Sequence, residues 1–338
     1  MQAFLLRAWY QGDWRWWLIV PLLLPLNWLM AAVTSFRRKW LTSRAGAGFN
    51  APVIVVGNIS LGGTGKTPLI ISLTESLIAK GWRPGIVSRG YGGQSNYPLM
   101  VKQGTPTSAC GDEPKMLAER TGVPLVVDPL RRRAVEFLLA QSNCNIVLSD
   151  DGLQHYALYR DVEIAVLDGA RGLGNGWLLP IGPLRESARR LQEVDCLVIN
   201  QSGPIHPSLE PFASRAIRMQ LSPTVFINVR TGEQRSLTSV AEHEWTAVCG
   251  IGNPDRFYRT LADLSLQFQP KSFPDHHAYN VLELQSLLNE PVLMTEKDAV
   301  KCRAFAGENW WYLQVSPSFS DALAEQVLAC LATKNRAR

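Results

Sequence analysis

VIVVGNISLGGTGKTP, residues 53–68, decides the fold. It runs from an unbroken apolar stretch through a glycine-rich turn into PLIISLTESLIAK (68–80), and the spacing predicts a helix over 67–80. In a strand–turn–helix of this kind, backbone N–H groups of the turn and of the helix N-terminus converge on phosphate oxygens. The usual phosphate loop opens with glycine, whereas this one opens with Ser60. Ser60 stands at the loop entrance, where the turn is less crowded than at Gly65, so a nucleotide site is still expected. Its candidate contacts are Ser60, Leu61, Gly62, Gly63, Thr64, Gly65, Lys66 and Thr67. Lys66 is placed to reach the β- and γ-phosphates, and the Thr67 hydroxyl to hold Mg²⁺.

Outward from this loop, short apolar runs alternate with helical stretches. That pattern predicts an α/β fold, a P-loop NTPase-type parallel sheet with flanking helices. Strands are expected at 53–58, 84–88, 124–127, 145–150, 163–168 and 196–200, and helices at 67–80, 112–121, 130–141 and 184–192. QSGPIHPSLEP (201–211) reads as a connection, and 213–243 as a few extended strands. A second, smaller α/β unit follows, with strands at 245–252, 266–273, 291–298 and 310–315. Its helices are expected at 254–264, at 281–290 and at the C-terminus. The expected organisation is an N-terminal membrane-anchoring segment over 1–44, a P-loop domain over 45–205 and a smaller α/β domain over 206–338. The C-terminal helix is free to pack back on the P-loop domain.

The net charge of +5 comes entirely from residues 1–44, which hold Arg7, Arg15, Arg37, Arg38, Lys39 and Arg44 against Asp13. A nucleic-acid-binding protein spreads basic residues over its folded surface, so no nucleic-acid partner is expected. The same segment carries Trp9, Trp14, Trp16, Trp17, Trp28 and Trp40 around WWLIVPLLLPLNWLMAAVTSF (16–36), which has no charge. Its length approaches the ~20 residues that cross a bilayer core. Pro21, Pro25 and Asn27 weaken a straight span. The flanking tryptophans and trailing basic cluster suit a headgroup-level seat on an anionic membrane. The alternatives are an ordinary buried helix and a signal peptide, for which AGA (45–47) is the candidate cleavage site. Six scattered cysteines without a CxxC pair fit a reducing compartment rather than a disulfide framework or zinc site.

Several polar clusters sit at the ends of these elements. NIVLSDD (145–151) ends an apolar run on Asp150 and Asp151, adjacent carboxylates that repel unless a cation lies between them. The pair is assigned to metal or phosphate chemistry, the alternative being a cap on the turn that follows. SRGYGG (88–93), with Arg89 and Tyr91, is a close approach to a ligand or a plain turn. GDEPK (111–115) reads as a helix N-terminus capped by Asp112. DPLRRRA (128–134) places Arg131 and Arg133 near a helix start, as a solvated basic face or as a fork for an anion. PLRE (183–186) and PDHHAY (274–279) complete the set.

Together these stretches resemble the tetraacyldisaccharide 4'-kinase family, the lipid A 4'-kinases of Gram-negative bacteria. The resemblance rests on VGNISLGGTGKTP, SRGYGG, GDEP, DPLRRRA, DDGLQH, GPLRE, NPDRF, FPDHHAY and TEKDAVK, in order over residues 55–301. It implies ATP and Mg²⁺ as cofactors and a membrane glycolipid as acceptor, phosphorylated on the 4'-hydroxyl of tetraacyldisaccharide 1-phosphate to give lipid IVA. It further implies Asp112 as base in a dyad with His276, His277 being the second choice, and Lys66 and Asp151 as further catalytic groups. Thr67, Asp150 and Asp151 would serve the metal. Arg89, Tyr91, Arg131, Arg133, His155, Arg185 and Glu186 would contact substrate or phosphate. The implied setting is the cytoplasmic face of the inner membrane, and the implied state is a monomer. A membrane-attached nucleotide switch is the rival class, but CLVINQSG and TEKD each lack part of the Asn-Lys-x-Asp signal for guanine. A soluble small-metabolite kinase leaves residues 1–44 unexplained.

Overall fold

A computed structural model describes residues 2–201, 203–239, 244–318 and 322–336. Of the extended region expected over 213–243, residues 240–243 lie outside those described.

The chain opens with helices α1 (Gln2–Tyr10) and α2 (Trp14–Thr42). The first lobe follows as β1 (Val53–Gly57), α3 (Lys66–Ala79), β2 (Pro84–Ser88), β3 (Leu99–Met100), α4 (Thr107–Cys110), α5 (Asp112–Thr121), β4 (Leu125–Val127), α6 (Arg131–Gln141), β5 (Ile146–Ser149), β6 (Val162–Asp168) and β7 (Cys196–Asn200). A long strand β8 (Ala216–Asn228) and a short β9 (Gln234–Arg235) lead into the second lobe. That lobe holds β10 (Trp245–Cys249), α7 (Pro254–Asp263), β11 (Phe268–Ser272), β12 (Val292–Thr295), α8 (Glu296–Cys302), β13 (Trp310–Ser318) and α9 (Ala322–Arg336).

Among the described residues the strands join in one sheet, ordered β11-β10-β12-β13-β8-β7-β6-β1-β5-β2-β4-β3, with β9 paired to β8. Pairing is parallel except at β3/β4, β8/β9 and β8/β13. Side chains alternate across a strand, so Ile54 and Val56 of β1 enter one core while Val53 and Val55 enter the other. A strand apolar at every position is what a parallel sheet covered on both faces requires. α3, α5 and α9 supply Leu69, Leu73, Leu117, Leu323 and Val327 to the first core, and α6 supplies Ala134, Val135 and Leu138 to the second. In the second lobe α8 and α7 cover opposite faces around Trp310 and Trp245. β8 links the lobes within the sheet. Its Ala216–Met219 end runs parallel to β7, and its Gln220–Asn228 end runs antiparallel to β13.

Three local expectations are corrected. Over 184–192 only a single 3₁₀ turn forms, at Ala188–Gln192. The backbone before it is drawn into extended pairing with the phosphate loop, through Arg185 N–H to Ile59 O and the Ser60–Leu184 bridge. Over 281–290 the helix reduces to a 3₁₀ turn at Gln285–Leu287. Ten residues stopped by Pro291 are too few to hold a helix by propensity, and here the one fully buried anchor of the turn is Leu284. At GDEPK the cap is Gly111, and Asp112 is the first helical residue.

α2 continues through Pro21 and Pro25. It is long and apolar enough to cross a membrane, an 18-residue stretch of it having a mean hydropathy of 1.8. One stripe of it is held on the protein. Trp16 Nε1 donates to Ile181 O at 2.9 Å, and Asn27 Nδ2 donates to Leu178 O at 2.7 Å. The outward stripe leaves Trp14, Trp17, Leu18, Leu22, Trp28 and Leu29 exposed.

Candidate active site

Three neighbouring strands end at one place. β1 feeds the phosphate loop, β5 feeds Asp150 and Asp151, and β2 feeds Arg89 and Tyr91. In an open α/β sheet, ligands occupy the crevice outside these carboxyl ends. The loop's entrance is zipped to the PLRE stretch, with Leu61 N–H donating to Pro183 O at 2.9 Å. Gly62 and Gly63 are exposed at the mouth, while Ser60 and Thr64 are buried.

Gly65 precedes α3 with φ of 97°. A Cβ there would lie 2.4 Å from Asn200 Nδ2, whose amide donates to Thr64 O at 2.9 Å. Arg256, from the NPDRF stretch, donates to Asn200 Oδ1 at 2.9 Å and so braces the loop from the second lobe. Gly65→Ala meets both the clash and the ~1–2 kcal/mol penalty of left-handed backbone. We expect it to weaken nucleotide binding about tenfold or more with circular dichroism unchanged, as read by calorimetric titration.

Lys66 Nζ lies 3.3 Å from Asp151 Oδ1, and Arg185 lies 3.5 Å from Asp151 Oδ2. Burial pushes the Asp151 carboxyl up, but Lys66 and then Arg185 outweigh it and hold the carboxyl below the usual range. Asp150 is the opposite case. Burial, then Glu113 and Asp151, push its carboxyl up to about 7. Ser88 Oγ donates to its Oδ2 at 3.0 Å, while its buried Oδ1 accepts no hydrogen bond among the described residues. A buried carboxylate with an orphaned oxygen beside two other carboxylates fits a divalent cation. Mg²⁺ is commonly held by one or two carboxylates plus substrate phosphates rather than by an all-protein cage. Asp150, Asp151 and the Thr67 hydroxyl are the donors this chain would offer.

A second group faces the same cleft. Gly111 (φ 90°) packs so closely on the loop after β2 that a Cβ would lie 2.4 Å from Tyr91 O. This brings Asp112, at the start of α5, beneath Tyr91 and opposite the PDHHAY loop. His276 Nδ1 lies 3.1 Å from Asp112 Oδ2, and the Tyr91 ring meets the imidazole edge-on at 5.0 Å. His277 pairs with Glu283 at 2.8 Å and stacks on Phe273 instead. Burial raises the Asp112 carboxyl, but the hydrogen bond to His276 and the charges of Lys297 and Lys301 hold it below the usual range. The same hydrogen bond raises His276 above its ordinary value, against burial. Asp151 and His276 both have left-handed backbone, φ 46° and 59°. Such conformations cost about 1–3 kcal/mol and persist only where surroundings over-determine them. For His276 those surroundings include buried Asp298, which accepts from Gly250 N–H, Tyr279 Oη and Thr295 Oγ1 and so ties the loops of the second lobe together.

A phosphate loop, paired carboxylates and an aspartate–histidine dyad thus share one cleft. The family model described as tetraacyldisaccharide-1-P 4'-kinase matches residues 19–332. The chain belongs to that family. The tetraacyldisaccharide 4'-kinase of Pseudomonas aeruginosa is 47% identical over 336 residues, covering 96% of this chain and 98% of that protein. The tetraacyldisaccharide 4'-kinase of Vibrio cholerae is 43% identical over 328 residues, covering 95% of each chain. A crystal structure of LpxK from Aquifex aeolicus in complex with ATP superposes with a TM-score of 0.75 at 28% identity. It covers 91% of this chain and 98% of that one.

The remaining residues singled out in this kinase divide by exposure. Arg89, Tyr91 and Arg185 are open to the cleft mouth. Arg131 is buried behind the carboxylates, donating to Asp128 O at 2.8 Å and Asp150 O at 3.2 Å. Arg133 forks onto both oxygens of Asp128. Burial, then Arg131 and Arg89, push the imidazole of His155 down to about 4, so it is neutral at pH 7. Glu186 is buried among Gln154, Tyr156 and Arg190. Sequence reasoning passed over Glu113, Asn200, Arg256, Asp275 and Lys297. Glu113, Asp275, Arg256 and Lys297 lie in GDEP, PDHHAY, NPDRF and TEKDAVK, and Asn200 in CLVIN, stretches whose spacing does not name their chemistry.

Proposed function

We propose that this kinase transfers the γ-phosphate of ATP to the 4'-hydroxyl of a tetraacyldisaccharide 1-phosphate at a membrane surface, giving lipid IVA in lipid A biosynthesis. The observation that carries the residue assignment is the run of charges joining the two halves of the cleft. It passes from Lys66 and Asp151 through Asp150 and Glu113 to Lys297 and the Asp112–His276 pair. Phosphoryl transfer asks mainly for positioning and neutralisation, and each role has a group here. Backbone amides of 60–67 cradle the phosphates and Lys66 neutralises the β- and γ-phosphates. Asp112 accepts the proton of the sugar hydroxyl as its oxygen bonds to phosphorus and the bond to the β–γ bridging oxygen breaks. His276 orients that carboxylate. Thr67, Asp150 and Asp151 would hold Mg²⁺, which would supply further charge neutralisation of the triphosphate. Arg89, Tyr91 and Arg185 meet the substrate directly, while Arg131, Arg133, His155 and Glu186 support the carboxylates and loops behind them.

The outward stripe of α2, with Arg15 and the Arg37–Lys39 cluster, is the seat on an anionic bilayer. We place it on the cytoplasmic face of the inner membrane, where ATP is available, and take the working unit as a monomer. Residues 45–205 and 206–338 act as two lobes that close over ATP. The test is the purified protein in detergent with ATP, Mg²⁺ and the disaccharide 1-phosphate. Labelled phosphate is expected on the lipid, in an amount that follows lipid concentration. ATP hydrolysis indifferent to lipid, with none labelled, would instead establish a nucleotide switch.

A further inference from the structure

Lys297, in the first turn of α8, is accounted for by neither the phosphate loop nor the dyad. Its side chain is 16% exposed. Its Nζ lies 3.0 Å from Glu113 Oε1, 3.7 Å from Asp275 Oδ1, 3.8 Å from Asp112 Oδ2 and 3.3 Å from His276 Nε2. An ammonium group has three protons and no lone pair, so toward an imidazole nitrogen it can only donate. Nε2 must then accept, and the ring proton resides on Nδ1, the nitrogen facing Asp112.

We propose that Lys297 is a positioning residue for the reaction: by donating to Nε2 it holds His276 as the neutral Nδ1–H tautomer, which donates to Asp112 and leaves that carboxylate the base. The proposal rests on the reading of Asp112 and His276 as the working pair. An imidazolium would need a proton on Nε2, which would break this hydrogen bond and set two cations side by side.

The groups around the ring come from four elements. Asp112 and Glu113 approach from α5, Lys297 and Lys301 from α8, Asp275 from the ring's own loop and Tyr91 from the loop after β2. Asp112 and Asp275 favour a charged ring. Asp275 lies 4.0 Å from Nε2 but 3.7 Å from Lys297, so the lysine takes up most of that pull. Burial works against the charge on Lys297, but Glu113, Asp112 and Asp275 outweigh it and keep the ammonium protonated at working pH.

The test uses the full-length kinase in detergent with Lys297→Met and Lys297→Arg, alongside His276→Ala. In Lys297→Met the ring charges more easily, so the acidic limb of the kcat–pH profile should move up by about one unit, a tenfold change in protonation. A loss of about tenfold at pH 7 should recover toward the wild-type rate near pH 9, and Lys297→Arg should return the limb most of the way. Independently, ¹⁵N-histidine spectra of the wild type, assigned with His276→Ala, should show the Nδ1–H tautomer above the ring's pKa. A rate lowered by the same factor at every pH, or an Nε2–H ring in the wild type, would overturn the role of Lys297. If Lys297→Met does not fold, the wild-type spectrum still decides. A wild-type rate in His276→Ala would instead strike the dyad itself.

Discussion

Lys66→Ala should all but abolish turnover, by about 10²–10³-fold or more, the scale seen when one preorganised charge-stabilising donor is removed from a dry site. Lys66 is the cation at the head of α3, and its present partner is Asp151 at 3.3 Å. Removing it has two consequences. The β- and γ-phosphates lose their neutralising charge, and Asp151 keeps only Arg185 as a cationic partner within 4 Å among the described residues. Asp151, left with the more distant Arg185, then adds to the negative charge of Asp150 facing an incoming tetra-anion. ATP affinity should therefore fall along with kcat. Lys66→Arg should restore little, because a forked guanidinium does not fit where a compact point charge sits. Isotope-labelled transfer to lipid, together with nucleotide titration, reads both effects; normal turnover in Lys66→Ala would remove the loop from phosphate chemistry.

Asp112→Asn should separate chemistry from binding. The amide keeps the size and one acceptor for His276 but cannot take a proton, so kcat should fall by about 10²–10⁴-fold. Asp112 belongs to α5 rather than to the phosphate loop, so ATP affinity should hold within a few-fold. The pH profile adds a signed check. Asp112 is held below the usual carboxylate range, so it stays ionised through neutral pH. His276 is raised above its ordinary value, so activity should fall as pH drops through that raised pKa, when the ring charges and its Nε2 contact with Lys297 breaks. An acidic limb in the ordinary carboxylate range would reassign it to Asp112. Unchanged turnover in Asp112→Asn would remove it from the mechanism.

The sheet's first half was legible because its strands announce themselves twice. Val53–Val56, Ile146–Leu148 and Cys196–Ile199 are apolar at every position. The first leads into the phosphate loop, the second into Asp150 and Asp151, and the third ends on Asn200, which holds Thr64 of that loop. The phosphate loop was legible through strand before and helix after, despite Ser60. Lys297 was not legible, because its importance comes from α5 and α8 meeting in space, 184 residues apart in sequence from Glu113. Glu186 and Arg131 were legible as charged residues but not as buried ones, since only packing turns their side chains inward. The stretch 281–290 misled through a helical rhythm of leucines that the structure spends on one anchor, Leu284. The choice between His276 and His277 had no local signal, and backbone handedness at 276 settles which ring faces Asp112.

β8 changes partners between Met219 and Gln220 without leaving the sheet. A flexible linker would let the lobes drift apart; a strand laddered to one lobe at one end and to the other lobe at the other is expected to behave as a torsion bar. Rotation of the lobe that carries His276 is resisted along its length and concentrated where the ladder switches sides. That point abuts the loop, because Met219 Cε would sit 3.0 Å from a Cβ on Gly65. We expect a twist applied at the His276 end of the molecule to be felt, through this one strand, beside Gly65 in the turn proposed to hold the phosphates.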